Sequence, residues 1–260
     1  MAHRNSFQIK NSAKKSRSLA KNIYLALIII LLLAIFIIGG FWAAHLLRQR
    51  ELNDNNDLDV DPIELLGLEK IDVTDAEKDN YVVAPDKPRY LSIPKIGVDR
   101  ARILEIGVSK PNDKGIQQMD APNTTADVGW YNCAKNPIAE KRCGKPKIPG
   151  DGNVNNAAVI DGHTCFSNTV VCVFDKLKDL RNGDSLTVEM GDGTILNYVV
   201  KKVEIKELAD VDMSKVMKPI ESGQDGLNFI SCAGKYQGAR DSSGVLTASQ
   251  RVLVYAILVN

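Results

Sequence analysis

A thiol, an imidazole and a guanidinium stand at the ends of three apolar runs in this sequence. Cys232 closes the run NFISC, Arg251 lies at the start of the next run QRVLVYA, and His163 follows the run AAVID after a glycine. Strands joined by a loop commonly pair in one sheet, so the Cys232 thiol and the Arg251 guanidinium can face the same spot. An imidazole beside the thiol would move the proton that thiol chemistry requires. The three side chains are therefore candidates for a cysteine-based active site.

The cysteine count favours a reactive thiol at Cys232. The chain has five cysteines, all in the part that is predicted below to lie outside the cell, where disulfides persist. Cys133 with Cys143, and Cys165 with Cys172, are the pairs closest in sequence, and pairing them leaves Cys232 as the odd thiol. Any of the other four could instead be the one left over, and Cys232 could be an inert buried thiol.

The histidine count narrows the choice of proton carrier. His3 and His45 lie in the N-terminal tail and the long apolar segment, which leaves His163 for the rest of the chain. A turn residue is the plainer interpretation of a lone histidine after Asp-Gly. A metal site of His163, Cys165 and Cys172 is a further alternative, but the H-x-C-x6-C spacing matches none of the familiar zinc patterns. We therefore predict no metal site.

The N-terminal part is typical of a membrane anchor. Residues 1–22 carry only basic charges, and residues 23–47 form a run of 25 residues without formal charge. A helix needs only about 20 apolar residues to cross a bilayer. The basic flank predicts a cytoplasmic N-terminus, contact with lipid headgroups, and an extracellular domain in a single-pass protein of the cell membrane. A cleavable signal peptide is the competing interpretation, but its apolar region is usually about 7–15 residues. The net charge of +1 does not suggest binding to nucleic acid.

The remaining sequence predicts a stalk and a β domain. Residues 48–88 are acidic and poor in aromatic residues, which predicts a flexible stalk. Alternating or apolar runs in residues 89–260 predict strands over 90–94, 101–107, 157–161, 185–190 and 195–207, besides the two runs around Cys232 and Arg251. Asp192-Gly193 predicts a hairpin turn, and a change of phase at Lys201-Lys202 predicts a bulge. Short helices are expected over 174–180 and 211–217. This mixture favours a mainly β barrel or sandwich.

The domain from about Leu91 to Asn260 resembles the sortases, membrane-anchored cysteine transpeptidases, and most closely their class F type. The matching segments are LSIPKIGV, VGWY, AAVIDGHT, FDKLKDLRNGDSLTV, FISCAG and QRVLVYA, in this order along the chain. The resemblance implies an eight-stranded sortase-type β-barrel with short helices, preceded by the transmembrane helix. It also implies a catalytic triad of His163, Cys232 and Arg251, in which Arg251 contacts the substrate backbone and the developing oxyanion.

The resemblance also implies a substrate and its partners. Such an enzyme cleaves an LPxTG-like C-terminal sorting signal of an exported protein through a Cys232 thioester. It then transfers the acyl group to a cell-surface amine, from a cell-wall (peptidoglycan) peptide or a pilin lysine. Ile230 and Ser231 are predicted to contact the signal, with Ile230 accepting its leucine. Calcium activates some members, but the acids here cluster in the stalk, so we predict no cofactor.

Three departures from the family and two alternatives stay open. Ser231 stands where a threonine commonly precedes the cysteine, the loop between Cys232 and Arg251 is long, and the additional cysteines are unusual. An L,D-transpeptidase-like cell-wall enzyme is one alternative, although such enzymes have their histidine close before the cysteine and here 68 residues intervene. A non-enzymatic, disulfide-braced surface binding domain is the other.

Overall fold

Eight strands close into a single barrel. The computed structural model describes residues 73–108, 119–135, 145–165, 170–240 and 246–259. The strands are β1 (Pro88–Ile93), β2 (Val98–Ile106), β3 (Val128–Tyr131), β4 (Ala157–Gly162), β5 (Ser185–Met190), β6 (Ile195–Glu207), β7 (Gly226–Arg240) and β8 (Leu246–Val259). Their order around the barrel is β1-β2-β3-β4-β7-β8-β6-β5. The β2–β3 and β4–β7 pairs are parallel, and the other six are antiparallel. The predicted mainly β, eight-stranded fold is confirmed.

The helices of the described residues are short. There are two α-helices, α1 (Asp75–Asp79) and α2 (Met213–Val216), and four 3-10 helices, Pro94–Ile96, Cys133–Lys135, Leu177–Asp179 and Leu208–Asp210. The helix predicted over 174–180 is thus a single 3-10 turn. The helix predicted over 211–217 is shortened to α2, whose N-cap is Asp212. The strands rather than the helices therefore position the candidate site.

Alternating side chains fill the barrel. Its interior cluster includes large, fully buried residues from most strands, among them Leu91, Ile103, Trp130, Ile160, Leu186, Tyr198, Phe229 and Val254. Successive strand residues point to opposite faces, so each strand that feeds this core also presents residues to the outside of the barrel. Three neighbouring strands use that outer face for the candidate site.

The two local irregularities predicted from sequence are present. The β5–β6 connection turns at Gly193, whose φ is 86°, with the Gly193 N–H donating to the Met190 carbonyl at 3.0 Å. Along β6, Val200 pairs with Ala256 and Lys202 with Tyr255, so one extra residue is inserted at Lys201. This bulge restores the inward apolar face that the sequence pattern had appeared to lose.

The chain packs onto the barrel from Thr74 onward, earlier than the predicted domain start at residue 89. Thr74 and Glu77 cap each other's backbone N–H groups at the start of α1, an arrangement that stabilises a short helix. The Tyr81 hydroxyl then donates to the Ile103 carbonyl at 2.6 Å. The predicted membrane helix, residues 23–47, lies outside the described residues. Within the part that the structure describes, no helix is long and apolar enough to cross a membrane.

A buried ion network links the loop before β4 to the residue that precedes β7. The Lys147 ammonium contacts the Asp151 carboxylate and lies 2.6 Å from Asp225 Oδ2. Asp225 directly precedes β7, and the Tyr198 hydroxyl donates to its other oxygen at 3.4 Å. Trp130 Nε1 donates to the Lys147 carbonyl at 3.0 Å. These contacts hold residues 147–151, which precede β4, next to the start of β7.

Candidate active site

The three candidate residues lie in one row across β4, β7 and β8. Cys232 and Arg251 are direct partners in the antiparallel β7–β8 pair. Asp161 is the partner of Ile230 at the end of the parallel β4–β7 pair. His163 directly follows β4, and the contacts of Ser231 with its neighbours Gly162 and Thr164 place it beside Cys232. Neighbouring strands are about 4.8 Å apart, so the three backbones lie within about 10 Å of one another.

The side chains of these three residues point away from the barrel interior. From these strands the interior cluster takes Ala158, Ile160, Phe229, Ala233, Val252 and Val254, whereas an outer cluster takes Val159, Ile230, Leu253 and Tyr255. By alternation, His163, Cys232 and Arg251 share the outer face. The structure thus brings together the three residues that the sequence singled out, with Cys232 as a thiol.

Ser231 fixes the contact between β7 and the residues around His163. Its hydroxyl donates to the Gly162 carbonyl at 2.6 Å and lies 2.7 Å from the Thr164 hydroxyl. Ser231 is only 1% exposed, so its side chain is enclosed by the sheet. This differs from the predicted substrate contact, because alternation turns the residue next to Cys232 away from the outer face. We assign Ser231 to holding the two strands in register.

Two packing features orient His163. A Cβ atom on Gly162 would lie 2.6 Å from the Phe174 ring, so only glycine allows Phe174 to pack directly beneath the histidine backbone. On the other side, His163 Nε2 lies 2.6 Å from the Pro122 carbonyl oxygen. A carbonyl only accepts, so Nε2 carries a proton and Nδ1 is left as the basic nitrogen of the neutral ring. Burial lowers the pKa of His163, and the Pro122 contact opposes that shift.

Arg251 is held by its own strand. Its Nη1 atom donates to the carbonyl oxygens of Ala248 at 3.0 Å and Gln250 at 2.9 Å. The guanidinium is half-buried and permanently charged. Its charge lies on the strand that pairs with Cys232, where acyl transfer would place a negative oxygen.

A disulfide closes the loop that follows His163. Cys165 is bonded to Cys172, and the two carboxylate oxygens of Asp175 accept the Cys165 and Cys172 backbone N–H groups, each at 2.8 Å. The bond removes the two thiolates that the metal alternative with His163 required. The second predicted disulfide, Cys133 with Cys143, stays a prediction because Cys143 lies outside the described residues.

The outer cluster forms a second, buried apolar core next to the row of candidate residues. Ile230 is 6% exposed and belongs to this cluster, as do Val159, Leu253, Tyr255 and Val216 of α2, while Met119, Tyr131, Val211, Met213 and Met217 pack against it. Asn228 holds the α2 segment on β7, since its Nδ2 donates to the carbonyls of Val216 at 2.6 Å and Lys218 at 2.8 Å. Ile230 is therefore covered within this core, which differs from the predicted contact with the leucine of the sorting signal.

Sequence reasoning missed Asp161. It occupies the outer face of β4, two residues before His163 and directly opposite Ile230. Burial raises the pKa of Asp161 to about 7, against the lowering effects of the Gly162 N–H and the Arg251 charge. A sequence pattern that predicts its position is the alternation in the run VIDGHT, which puts Asp161 and His163 on the same face.

A separate cavity of about 330 Å³ lies elsewhere on the barrel. Its lining includes Lys78, Asp99, Arg102 and Asp127 as well as Cys172, and none of the three candidate catalytic residues. Arg102 and Asp127 form a bidentate ion pair at 2.8 and 2.7 Å, so these two charges neutralise each other. We therefore place the candidate active site at the row of His163, Cys232 and Arg251 and not at this cavity.

Comparisons with known proteins agree with this architecture. The family model described as Sortase domain matches residues 91–259. No curated protein matches the sequence. Similar solved structures include sortase C-1 from Actinomyces oris (21% identity, 82% of this chain and 96% of that chain, TM-score 0.44) and sortase A from Corynebacterium diphtheriae (18%, 76% and 79%, 0.44). Sortase C from Clostridium perfringens SM101 is a third (18%, 82% and 96%, 0.41). All three TM-scores are below 0.5, so these likenesses add no detail of subtype or substrate.

The family match covers most of the chain and favours the transpeptidase over the two alternatives. It includes His163, which directly follows β4, and the strands β7 and β8 that carry Cys232 and Arg251. The chain belongs to the sortase family, and this membership supports a transpeptidase function.

Proposed function

We propose that this protein is a cysteine transpeptidase that acts on exported proteins bearing an LPxTG-like sorting signal. The observation that carries the proposal is the single cross-strand row of His163, Cys232 and Arg251 on the outer face of a sortase barrel. Thiol, imidazole and guanidinium are the groups that acyl transfer through a thioester needs. The motif order also favours the class F subtype.

In the first half-reaction, the Cys232 thiolate attacks the carbonyl carbon of the signal's threonine. The carbon–nitrogen bond to glycine breaks, and the His163 imidazolium protonates the leaving amine. Arg251 donates to the oxygen that carries negative charge in the tetrahedral intermediate. The product is a thioester on Cys232 and a free C-terminal peptide.

In the second half-reaction, a neutral amine attacks the thioester carbon and His163 takes its proton. The carbon–sulfur bond breaks and the Cys232 thiolate returns. We propose a peptidoglycan peptide or a pilin lysine as the amine, and no cofactor, because every step moves only a proton or an acyl group. A membrane-anchored chain with its domain outside the cell would meet both substrates.

The resting protonation state limits the rate. With ordinary pKa values, about 1% of molecules hold the thiolate–imidazolium pair near pH 7.5. Burial, by lowering the pKa of His163, reduces that fraction unless the paired thiolate offsets it. We therefore expect slow turnover.

The test uses an LPxTG-like peptide with intact-mass detection of the acyl-enzyme. Cys232→Ala and His163→Ala should each abolish thioester formation. Arg251→Lys should slow acylation by about 100-fold or more, because it removes the oxyanion donor set, while the far-ultraviolet spectrum stays that of the wild type. Arg181→Lys, at an exposed arginine, is the matched control and should react normally. Normal acylation by any of the first three variants would refute the assignment.

A further inference from the structure

The segment that leads into β3, residues 119–127, contacts the histidine of the candidate site. Pro122 in the middle of this segment is buried, and its carbonyl oxygen lies 2.6 Å from His163 Nε2. Because a carbonyl only accepts, the ring proton stays on Nε2, and Nδ1 is the nitrogen that can exchange a proton with Cys232. The position of this one carbonyl therefore selects the histidine tautomer.

An ion pair fixes the end of the segment. Asp127 directly precedes β3 and is 1% exposed, and Arg102 of β2 is 19% exposed. The guanidinium donates to both carboxylate oxygens, from Nε at 2.8 Å and from Nη2 at 2.7 Å. The parallel β2–β3 ladder begins with Ile103 beside Val128, so the ion pair lies just before the first partners of a ladder that no tight turn fixes. A bidentate pair of this kind defines one geometry.

Thr124 connects that geometry to Pro122. The buried Thr124 hydroxyl donates to Asp127 Oδ2 at 2.8 Å and accepts from the Asp127 N–H at 3.1 Å. At the other end of the segment, the Asp120 N–H donates to the Gly107 carbonyl at 3.0 Å. Pro122 lies between these two anchors, so its carbonyl is held against the histidine from both sides.

We propose that Asp127 is a positioning residue for acyl transfer, because it sets the segment whose Pro122 carbonyl keeps the proton of neutral His163 on Nε2. This inference rests on the proposed function and adds a residue to its machinery. Asp127 does not act through its own charge, since that charge is paired with Arg102. The causes that shift the pKa of His163 are burial and the Pro122 carbonyl.

Loss of this support changes the pH profile with a defined sign. Burial lowers the pKa of His163 and the Pro122 contact raises it, so withdrawing the carbonyl lowers that pKa further. Since an ordinary thiol titrates at about 8.5 and an imidazole at about 6.5, the acidic limb of kcat/KM reports the histidine. That limb should move to lower pH. The share of thiolate–imidazolium pairs should fall by the same factor, because it depends on the gap between the two pKa values.

The neighbouring elements carry other groups that could titrate or contribute charge near the histidine. All of them are kept in the variants below: Asp161 on β4, Tyr131 on β3, Cys232 on β7, Arg251 on β8, Asp120 on the segment itself and Asp175, which directly follows the Phe174 that packs beneath the histidine. Comparing each variant with the wild type therefore separates their titration from the effect of the segment.

The first measurement compares Asp127→Asn with the wild-type full-length chain in acylation by an LPxTG-like peptide. The variant should lose about 10- to 100-fold in kcat/KM, the cost of a misplaced catalytic group. The loss should fall on kcat with KM nearly unchanged, and the acidic limb should move to lower pH. Asp79→Asn is the matched control, because Asp79 accepts from Arg100 at 2.8 Å in an exposed pair. It should react like the wild type.

Thr124 supplies a second pair of variants, which carries the test if Asp127→Asn does not fold. Thr124→Val keeps the shape of the side chain but removes the hydroxyl that binds Asp127, so it should move the acidic limb in the same direction. Thr124→Ser keeps that hydroxyl and should retain the wild-type profile. A Thr124→Val profile equal to that of Thr124→Ser would contradict the inference.

Nitrogen-15 NMR of the full-length chain with labelled histidine reads the tautomer without substrate. Near pH 8 the signal that disappears in His163→Ala should show a proton on Nε2 in the wild type and a mixture of tautomers in Asp127→Asn and Thr124→Val. A wild-type tautomer and acidic limb in these two variants would overturn the inference even with a lower Tm, because a purely stabilising role changes neither. Failure of every peptide to form a thioester would overturn the proposed function instead, and the spectrum would then decide the inference.

Discussion

Replacing Lys147 by methionine should unfold the domain at a much lower temperature. The Lys147 and Asp225 side chains are each 6% exposed, and Asp151 is 27% exposed. Methionine keeps most of the length of lysine but leaves both carboxylates without their cation. Breaking a buried ion pair in this way costs about 3–5 kcal/mol. A domain of this size loses roughly 2–4 °C of Tm per kcal/mol, so we expect a fall of roughly 6–20 °C.

The assay is thermal unfolding of the full-length chain followed by circular dichroism at pH 7.5. Lys215→Met is the matched control, because Lys215 is 77% exposed and its partner Asp212 is 45% exposed. An exposed pair contributes about 1 kcal/mol or less. The double variant Lys147→Met with Asp225→Asn should recover part of the loss, since it no longer buries an unpaired charge at Asp225.

The pH dependence gives a second check on the same reasoning. Burial alone would raise the pKa of Asp151, but hydrogen bonds from Lys147 and from backbone N–H groups lower it overall. A carboxylate whose folded pKa is depressed stabilises the fold above its unfolded pKa and loses that effect as pH falls through the folded value. Lys147→Met removes the largest lowering contribution, so the wild-type advantage should be widest near pH 7, persist down to about pH 4 and narrow below it, because the folded pKa of Asp151 lies below its ordinary value. A Lys147→Met Tm equal to that of Lys215→Met near pH 7 would refute the structural role of this network.

Three further substitutions test other parts of the site. Replacing Cys165 and Cys172 together by serine should cost roughly 2–3 kcal/mol, the loop-closure value for a short loop, and slow acylation because the loop begins two residues after the histidine; unchanged Tm and rate would contradict this. Ser231→Ala should cost about 1–3 kcal/mol because it leaves the Gly162 carbonyl without its donor, while Ser231→Thr, which keeps a hydroxyl, should retain more stability in denaturant titrations. Asn228→Asp should cost about 3 kcal/mol or more, because an ionised carboxylate cannot donate to the two carbonyls that hold α2, and should raise KM for the peptide; a loss of stability with unchanged KM would separate α2 from substrate binding.

The strands of the barrel were predictable because their signal is local. Residues 185–190 and 195–207 alternate with the period of a strand, and the structure has β5 and β6 at those bounds. The phase change at Lys201-Lys202 even revealed the bulge, because an inserted residue leaves its trace in the parity of the neighbouring side chains. The local alternation of side chains thus predicts both the strands and their irregularities.

The contacts that set the register were not predictable in this way. Lys147 lies in a loop rich in proline, glycine and lysine, and nothing in its neighbourhood indicates that it pairs with Asp225, 78 residues later. The packing of Tyr81 on the barrel was likewise hidden in a stretch whose acidic composition predicts a stalk. Both contacts depend on partners that only the folded chain brings close, so the local composition of the sequence does not predict them.

The register of the β4–β7 pair decides whether a catalytic row exists at all. Side chains alternate faces with a period of two, so a slip of one residue would turn either His163 or Cys232 into the barrel while its partner stayed outside. A parallel pair has no tight turn to fix its register, and here β4 and β7 are separated by β5, β6 and α2. The Ser231–Gly162 contact ties the two strands together at their ends, and the Lys147–Asp225 contact holds the loop before β4 against the residue that precedes β7. Stability and catalysis should therefore fail together in variants of these contacts.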